Sequence, residues 1–257
     1  MYETILFEVQ NGVAYLTLNR PDKLNAFTEQ MNKEITKAIK DANHDESVRC
    51  LVITGAGRAF CSGEDLGSVN EGLDHGEVLR KRYMPMMKQL YRIEKPTIAA
   101  VNGVAAGAGM SLALACDFRL ASEKASFIEA FIHVGLIPDA GNLYYLPRLV
   151  GHAKALELAV FGEKVTAKEA KELGLVTKII STETWNEEVR SFAEKLAQMP
   201  TKAIGLIKRA LSESWHLSFD EYLEKEAYGQ RIAGLTHDHR EGVRAFFEKR
   251  KALFLGK

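Results

Sequence analysis

Thr97-Ile98-Ala99-Ala100-Val101-Asn102-Gly103-Val104-Ala105-Ala106-Gly107-Ala108-Gly109-Met110 is the stretch that decides how this chain is read. Its first five residues are a short apolar run ended by Asn102-Gly103, the pattern of a buried strand. A turn rich in glycine and alanine follows. From about Met110 to Cys116 the residues are small or apolar on every side, which predicts a fully buried helix. Phe118 to Ala121 reads as a strand again. Strand, tight turn, buried helix and strand in succession predict an α/β fold.

The pattern extends outward from there. Cys50 to Thr54 is a second short buried strand, ended by Gly55-Ala56-Gly57, and Val13 to Leu18 is β-rich and leads into the turn Asn19-Arg20-Pro21-Asp22. Thr28 is placed to cap a helix whose apolar face is Met31, Ile35, Ala38, Ile39 and Ala42. Downstream, Thr166-x-x-Glu169, Thr184-x-x-Glu187 and Ser218-x-x-Glu221 carry the spacing of capping boxes, and Leu173-Gly174 that of a helix stop. From about residue 184 onward only helices are expected; the last has Val243, Phe246 and Phe247 on one face. These readings divide the chain into a core over 1–195 and a helical segment over 196–257.

The 257 residues are 46% hydrophobic and 26% charged, ordinary for a globular protein with a sizeable core. Lys+Arg and Asp+Glu are both 34, a balance that argues against a dedicated nucleic-acid binder. Lys33, Lys37 and Lys40 share a helix face; such a row is usually solvated, and an RNA contact is the rival reading. Cys50, Cys61 and Cys116 have no metal-ligand spacing and read as free thiols, and the seven histidines show no metal motif, so no metal is expected. No signal peptide, transmembrane-length run or peroxisomal address stands out, which together with the thiols predicts a cytoplasmic protein without a membrane partner.

Two glycine-rich segments each follow a strand: Phe60-Cys61-Ser62-Gly63-Glu64-Asp65-Leu66, and Asn102 to Met110. Small residues ahead of a helix leave its first N–H groups open, at the end where the dipole favours negative charge. Two such donors converging on one point would form an oxyanion hole; glycines that merely serve tight packing are the plainer reading of either segment alone. Competing motifs fail. Leu112 sits where a dinucleotide fingerprint needs its third glycine, and Gly109-Met110-Ser111-Leu112-Ala113 is a nucleophile elbow lacking its last glycine, which leaves a Ser111 hydrolase as a minor alternative.

With these motifs the chain resembles the crotonase (enoyl-CoA hydratase/isomerase) superfamily. Phe60 to Leu66 resembles its F-x-x-G-x-D-L segment, and Pro96 to Gly103 its P-x-I-A-A-V-N-G strand and turn. Asn19-Arg20-Pro21, Leu24-Asn25-Ala26, Gly107-Ala108-Gly109, Cys116-Asp117, Gly135-Leu136-Ile137-Pro138 and Phe247-Glu248-Lys249-Arg250-Lys251 follow in the family's order. The resemblance implies a spiral of ββα turns with a helical C-terminal trimerisation segment, a homotrimer or homohexamer, and an acyl-CoA thioester as substrate, coenzyme A being part of that substrate and no cofactor being needed. It further implies that the backbone N–H groups of Glu64 and Ala108 are the oxyanion donors. Ser62, Glu64, Asp65, Leu66 and Gly67 would border the thioester and its pantetheine, Lys23 and Leu24 the nucleotide end, and Phe246 and Lys249 the coenzyme A of a neighbouring subunit.

One departure bears on the reaction. Hydratases of this family use two glutamates, and the matching positions here are Ser111 and Phe131. Glu129 is two residues out of register with Phe131: a strand would put both on one face, whereas a helix would turn Glu129 away. Asp139, in Gly135-Leu136-Ile137-Pro138-Asp139-Ala140-Gly141, matches the acidic position of Δ3,Δ2-enoyl-CoA isomerases and of ring acyl-CoA isomerases. The resemblance therefore implies double-bond isomerisation with Asp139 as the single base. Hydration with relocated acid/base groups is the alternative, and a helix cap or turn residue is the plain reading of Asp139. A non-catalytic CoA- or RNA-binding scaffold is the reading from another class. Phe127, Phe131, Tyr144 and Tyr145 could shape an acyl pocket or belong to the core.

Overall fold

Alternating burial builds a large sheet whose central strands are covered on both faces. A computed structural model describes residues 2–65, 67 and 72–257; Leu66, singled out above, lies outside the described residues. β1 (Ile5–Gln10) and β2 (Val13–Leu18) pair antiparallel, with Ile5 opposite Leu18. α1 (Glu29–His44) follows, its start fixed by Thr28 Oγ, which accepts the Met31 N–H at 3.2 Å. β3 (Cys50–Gly55) then adds parallel to β2.

From β3 the chain repeats one movement. It leaves the large sheet, adds a short strand to a second sheet, and returns through helix. The first round is β3, β4 (Ala59–Cys61), α2 (His75–Val78), a π-helical turn (Leu79–Tyr83) and α3 (Met84–Arg92). The second is β5 (Thr97–Val101), β6 (Val104–Ala106) and α4 (Ala108–Ala115). The third is β7 (Phe118–Ser122), β8 (Ser126–Ile128), a 3-10 turn (Ala130–Val134), α5 (Asn142–Val150) and α6 (His152–Phe161). β9 (Lys164–Thr166), α7 (Ala167–Glu172) and β10 (Lys178–Ile180) complete the sheets, in the orders β1-β2-β3-β5-β7-β10 and β4-β6-β8-β9. Each round is a ββα unit and the rounds stack, so the fold is the spiral expected from the resemblance.

The strand sequences explain the layering. Alternate residues of the large sheet point to opposite sides. Ala14, Leu16, Leu51, Ile53, Ala99 and Val101 face the interior shared with α1 and α4. Val13, Cys50, Val52, Ile98, Ala100 and Leu120 face Val189, Ala193 and Leu196 of α8 (Trp185–Ala197). A strand buried on both faces has no polar register, which is why Cys50–Ile53 and Ile98–Val101 read as unbroken apolar runs.

Three further helices follow α8: α9 (Thr201–Glu213), α10 (Phe219–Gly234) and α11 (His237–Phe247). α10 buries no residue, and Trp215, Phe219, Leu235, Phe246 and Phe247 are exposed in the single chain. The capping boxes at Thr166 and Ser218 form, whereas that expected at Thr184 does not. Thr184 Oγ1 donates instead to Glu188 at 2.7 Å, one residue past the position the box requires. Among the described residues, no helix is long and apolar enough to cross a membrane.

Candidate active site

The two glycine-rich segments meet at the point where β4 and β6 end. After β4 the chain pairs with Phe27, whose N–H donates to the Gly63 carbonyl at 2.7 Å and whose carbonyl accepts the Asp65 N–H at 3.0 Å. Glu64 lies between these bonds, and its own N–H has no backbone partner among the described residues. After β6, Gly107 donates its N–H to the Ile128 carbonyl at 3.0 Å and α4 begins, so the Ala108 N–H is a first-turn donor with no backbone partner among the described residues. A Cβ built on Gly63, whose φ is +95°, would stand 3.5 Å from the Ala108 nitrogen and 3.0 Å from the Ala106 carbonyl oxygen. One on Gly109 would lie 2.3 Å from the Cys61 carbonyl oxygen, so only glycine lets α4 start this close to β4. The sequence singled out these two segments, and the fold brings them into contact.

Other residues singled out by the sequence gather on the same side. The Ser62 N–H donates to the Leu24 carbonyl at 3.0 Å, joining the Lys23-Leu24 turn to the first glycine segment. Lys23 is exposed. Asp65 pairs with Arg20 at 2.9 Å, which holds its carboxyl below the usual range, and Asp65 Oδ1 accepts the Gly67 N–H at 3.2 Å. The Glu64 carboxylate is itself anchored: Arg82 lies 2.8 Å from Oε1, and the buried Tyr83 hydroxyl donates to Oε2. Burial, and then the Glu64 charge, raise the Tyr83 phenol well above its ordinary value. Sequence reasoning missed Arg82 and Tyr83; both lie on the π-helical turn, whose departure from a 3.6-residue period leaves no amphipathic pattern to read.

Asp139 precedes α5 without capping it, because the cap residue is Gly141 and no side chain closes that end. Asp139 Oδ1 is buried and has no hydrogen-bond partner among the described residues. Burial first, and then the charge of Glu64, push its carboxyl up to about 6, against a smaller opposing effect of His75. Its main chain is held more tightly. The carbonyl accepts the Ser111 hydroxyl and the Asn142 N–H, both at 3.0 Å.

Ser111 is fully buried, and its hydroxyl also lies 3.3 Å from the Gly107 carbonyl and accepts from Asn142 Nδ2. No base touches it among the described residues, so the hydroxyl has no neighbour there to activate it as a nucleophile. Glu129 and Phe131 are both buried, although β8 ends at Ile128 and neither lies in a strand. Phe127 is a core residue, while Phe131 borders the Gly107 turn at 3.8 Å from a Cβ built there. Tyr144, in the first turn of α5, meets Tyr91 and Tyr145 edge to face and stacks on His216.

Phe246, on α11, and Lys249, just past it, are both exposed. Phe246 lines a cleft of about 580 Å³ between α9, α10 and α11, which none of the residues from Lys23 to Gly67 touches. Lys33 and Lys37 pair with Glu29 and Asp41 at 2.5 Å, as a solvated helix face does. Among the described residues, no cluster of His, Cys, Asp or Glu could hold a metal ion.

A family model described as enoyl-CoA hydratase/isomerase matches residues 8–257, and the chain belongs to that family, the crotonase superfamily of enzymes. It is 42% identical to the 1,2-epoxyphenylacetyl-CoA isomerase of Escherichia coli K12, with all of both chains covered. It is equally, 42%, identical to a protein named probable enoyl-CoA hydratase from Rhodobacter capsulatus, over 100% of this chain and 99% of that one. Among solved structures, the enoyl-CoA hydratase of Bacillus anthracis superposes with a TM-score of 0.92 at 33% identity, covering 99% of this chain and 100% of the other.

Proposed function

We propose that this enzyme moves a double bond along the acyl chain of a coenzyme A thioester, with Asp139 as the single base. The observation that carries the reading is the half-buried Asp139 carboxyl, whose Oδ1 is buried and unbonded among the described residues and which is raised to about 6. A base poised near the working pH both holds its vacancy for a proton and gives that proton back. Removing a proton next to a thioester, or one vinylogous position away, puts charge on the thioester oxygen. The Glu64 and Ala108 N–H groups would meet that oxygen, each worth about 3–4 kcal/mol to the transition state. Asp139 would take the proton from C4 and return it at C2, or the reverse. Ser62, Asp65 and Gly67 would flank the thioester, with Lys23 and Leu24 toward the nucleotide and Phe246 and Lys249 reaching it from a second copy in a trimer.

Family likeness alone does not choose between isomerase and hydratase, since relatives of both names match equally. The residues favour isomerisation. Ser111 and Phe131 stand where a two-carboxylate hydratase has its glutamates, and Glu129 is 2% exposed, sealed from the water a hydration step must position. The test is incubation with a 3-enoyl-CoA. Appearance of the conjugated 2-enoyl-CoA is the expected result. Water addition to a 2-enoyl-CoA outpacing isomerisation would overturn the assignment.

A further inference from the structure

Beneath Asp139 lies a polar cluster that the isomerisation chemistry does not use. Glu129, just past β8, and Asn142, opening α5, are 2% and 0% exposed. Asn142 Nδ2 donates to Glu129 Oε1 at 2.8 Å, so carboxyl and amide already meet along one edge. The remaining oxygen of each, Glu129 Oε2 and Asn142 Oδ1, is buried without a donor among the described residues. Two buried acceptors left bare on one bonded pair are costly, because each has lost its water without gaining a donor. A single proton on Oε2 turns one acceptor into a donor for the other and closes an acid–amide ring.

The pair is wired to the proposed base. Asn142 Nδ2 also donates to Ser111 Oγ at 3.3 Å, and the Ser111 hydroxyl and the Asn142 N–H both donate to the Asp139 carbonyl. The next residue, Ala140, has φ +50°, a left-handed conformation that a residue with a Cβ adopts only when held. Asp139 is thus displayed on a strained turn whose anchors converge on Asn142, and Asn142 is clasped by Glu129.

We propose that Glu129 is a positioning residue that works as a neutral carboxylic acid, clasping the Asn142 amide and thereby fixing Asp139. This rests on the reading of Asp139 as the base. Ionisation of Glu129 removes the donor from Oε2, sets a carboxylate against Asn142 Oδ1 and against ionised Asp139, and loosens the turn.

The surroundings fit. Burial, chiefly, raises Glu129 to about 7; the Asn142 bond opposes this and the Asp139 charge adds to it. Asp139 is the charged group that acts on it. α4 contributes no titratable side chain, the His133 ring is engaged at 3.0 Å by the Gly162 carbonyl, and Arg148 of α5 lies over Tyr144. Lys154 of α6 pairs with Glu157, and His152, Lys164 of β9 and the charged residues of α7 are exposed.

The test uses the full-length enzyme and two readouts. Infrared difference titration should find a buried neutral carboxyl near neutral pH that vanishes in Glu129→Gln and persists in Asp139→Asn. This measurement needs no turnover, so it separates failure of the clasp from failure of the isomerase reading. In kinetics, Glu129→Ala should lower kcat roughly 10–100-fold with little change in KM, the cost of a displaced base. Glu129→Gln, which keeps an acceptor on one edge and a donor on the other, should recover most of that loss and abolish the alkaline fall in the pH profile. A carboxyl band that survives Glu129→Gln, or a Gln variant as impaired as the Ala variant, would overturn the proposal. If the Ala variant does not fold, the spectroscopy and the Gln variant still decide.

Discussion

Two sets of carboxyl groups in this molecule, one at α11 and one beside α4 and α5, are treated in opposite ways. At the start of α11, Asp238 accepts the N–H groups of Leu255 and Gly256 at 2.7 and 2.8 Å. Glu241 takes a two-pronged contact from Arg250, at 2.6 and 2.9 Å, and the Leu253 N–H at 2.9 Å. Those bonds, Arg250 first, hold the Glu241 carboxyl down to about 2. Beside α4 and α5, by contrast, Asp139 Oδ1 and Glu129 Oε2 are buried and bare, and both groups are raised. A carboxylate used to tie down chain is supplied with donors, because bonds to the charged form stabilise the fold. One kept for proton transfer must have its lone pair free, and it carries the cost of desolvation.

The contrast is broken most directly by exchanging Asp139 for asparagine. Isomerase turnover should fall about 10²–10⁴-fold while the protein remains folded. Full activity in this variant would move the base elsewhere. The next largest effect is expected at Gly109→Ala. Its Cβ, 2.3 Å from the Cys61 carbonyl oxygen, would push α4 away from β4 and with it the Ala108 N–H. A displacement of about 1 Å should lower kcat roughly 10²-fold, more than it weakens substrate binding, and transient kinetics can separate the two.

Much of this was legible in the sequence, and the limits have physical causes. The strands Val13–Leu18 and Thr97–Val101 appear at the predicted residues, because a run buried on both faces and cut by turn residues is a strong local signal. Thr166 and Ser218 cap as their spacing says. Thr184 does not, since its hydroxyl finds Glu188 instead, a competition that spacing cannot rank. The approach of the two glycine segments was visible as composition, but their contact is a product of the spiral. Asn142 gave no signal: a lone Asn after Ala140-Gly141 reads as turn chemistry, and its role depends on Glu129 and Ser111 arriving from other rounds. The sequence pattern offers Glu129 a strand or a helix, and it lies in neither.

On the structural side, Asp238→Ala should leave turnover at the Asp139 site unchanged but destabilise the fold by about 2–3 kcal/mol. It strips charge-assisted bonds from two backbone N–H groups of a residue that is 3% exposed. Equilibrium unfolding measures this. A loss of activity without loss of stability would mean that the C-terminal tail serves the site rather than the fold.

The smallest expected effect tests the contrast in a single titration. Glu241, with its folded-state value depressed, contributes stability that is present above the unfolded value near 4.3 and is lost as pH falls toward about 2. Asp139 and Glu129, with folded-state values raised, bind protons more tightly when folded, so their contribution is fully present below about pH 4 and is lost as pH rises through about 6 and 7. Asp139→Asn removes one of these titrations. Its stability relative to the native sequence should therefore improve between pH 4.5 and pH 8, by on the order of 2 kcal/mol, and remain level above that. A difference that does not change with pH would mean that Asp139 titrates as an ordinary surface aspartate, and the distinction between the two sets of carboxyls would then rest on Glu129 alone.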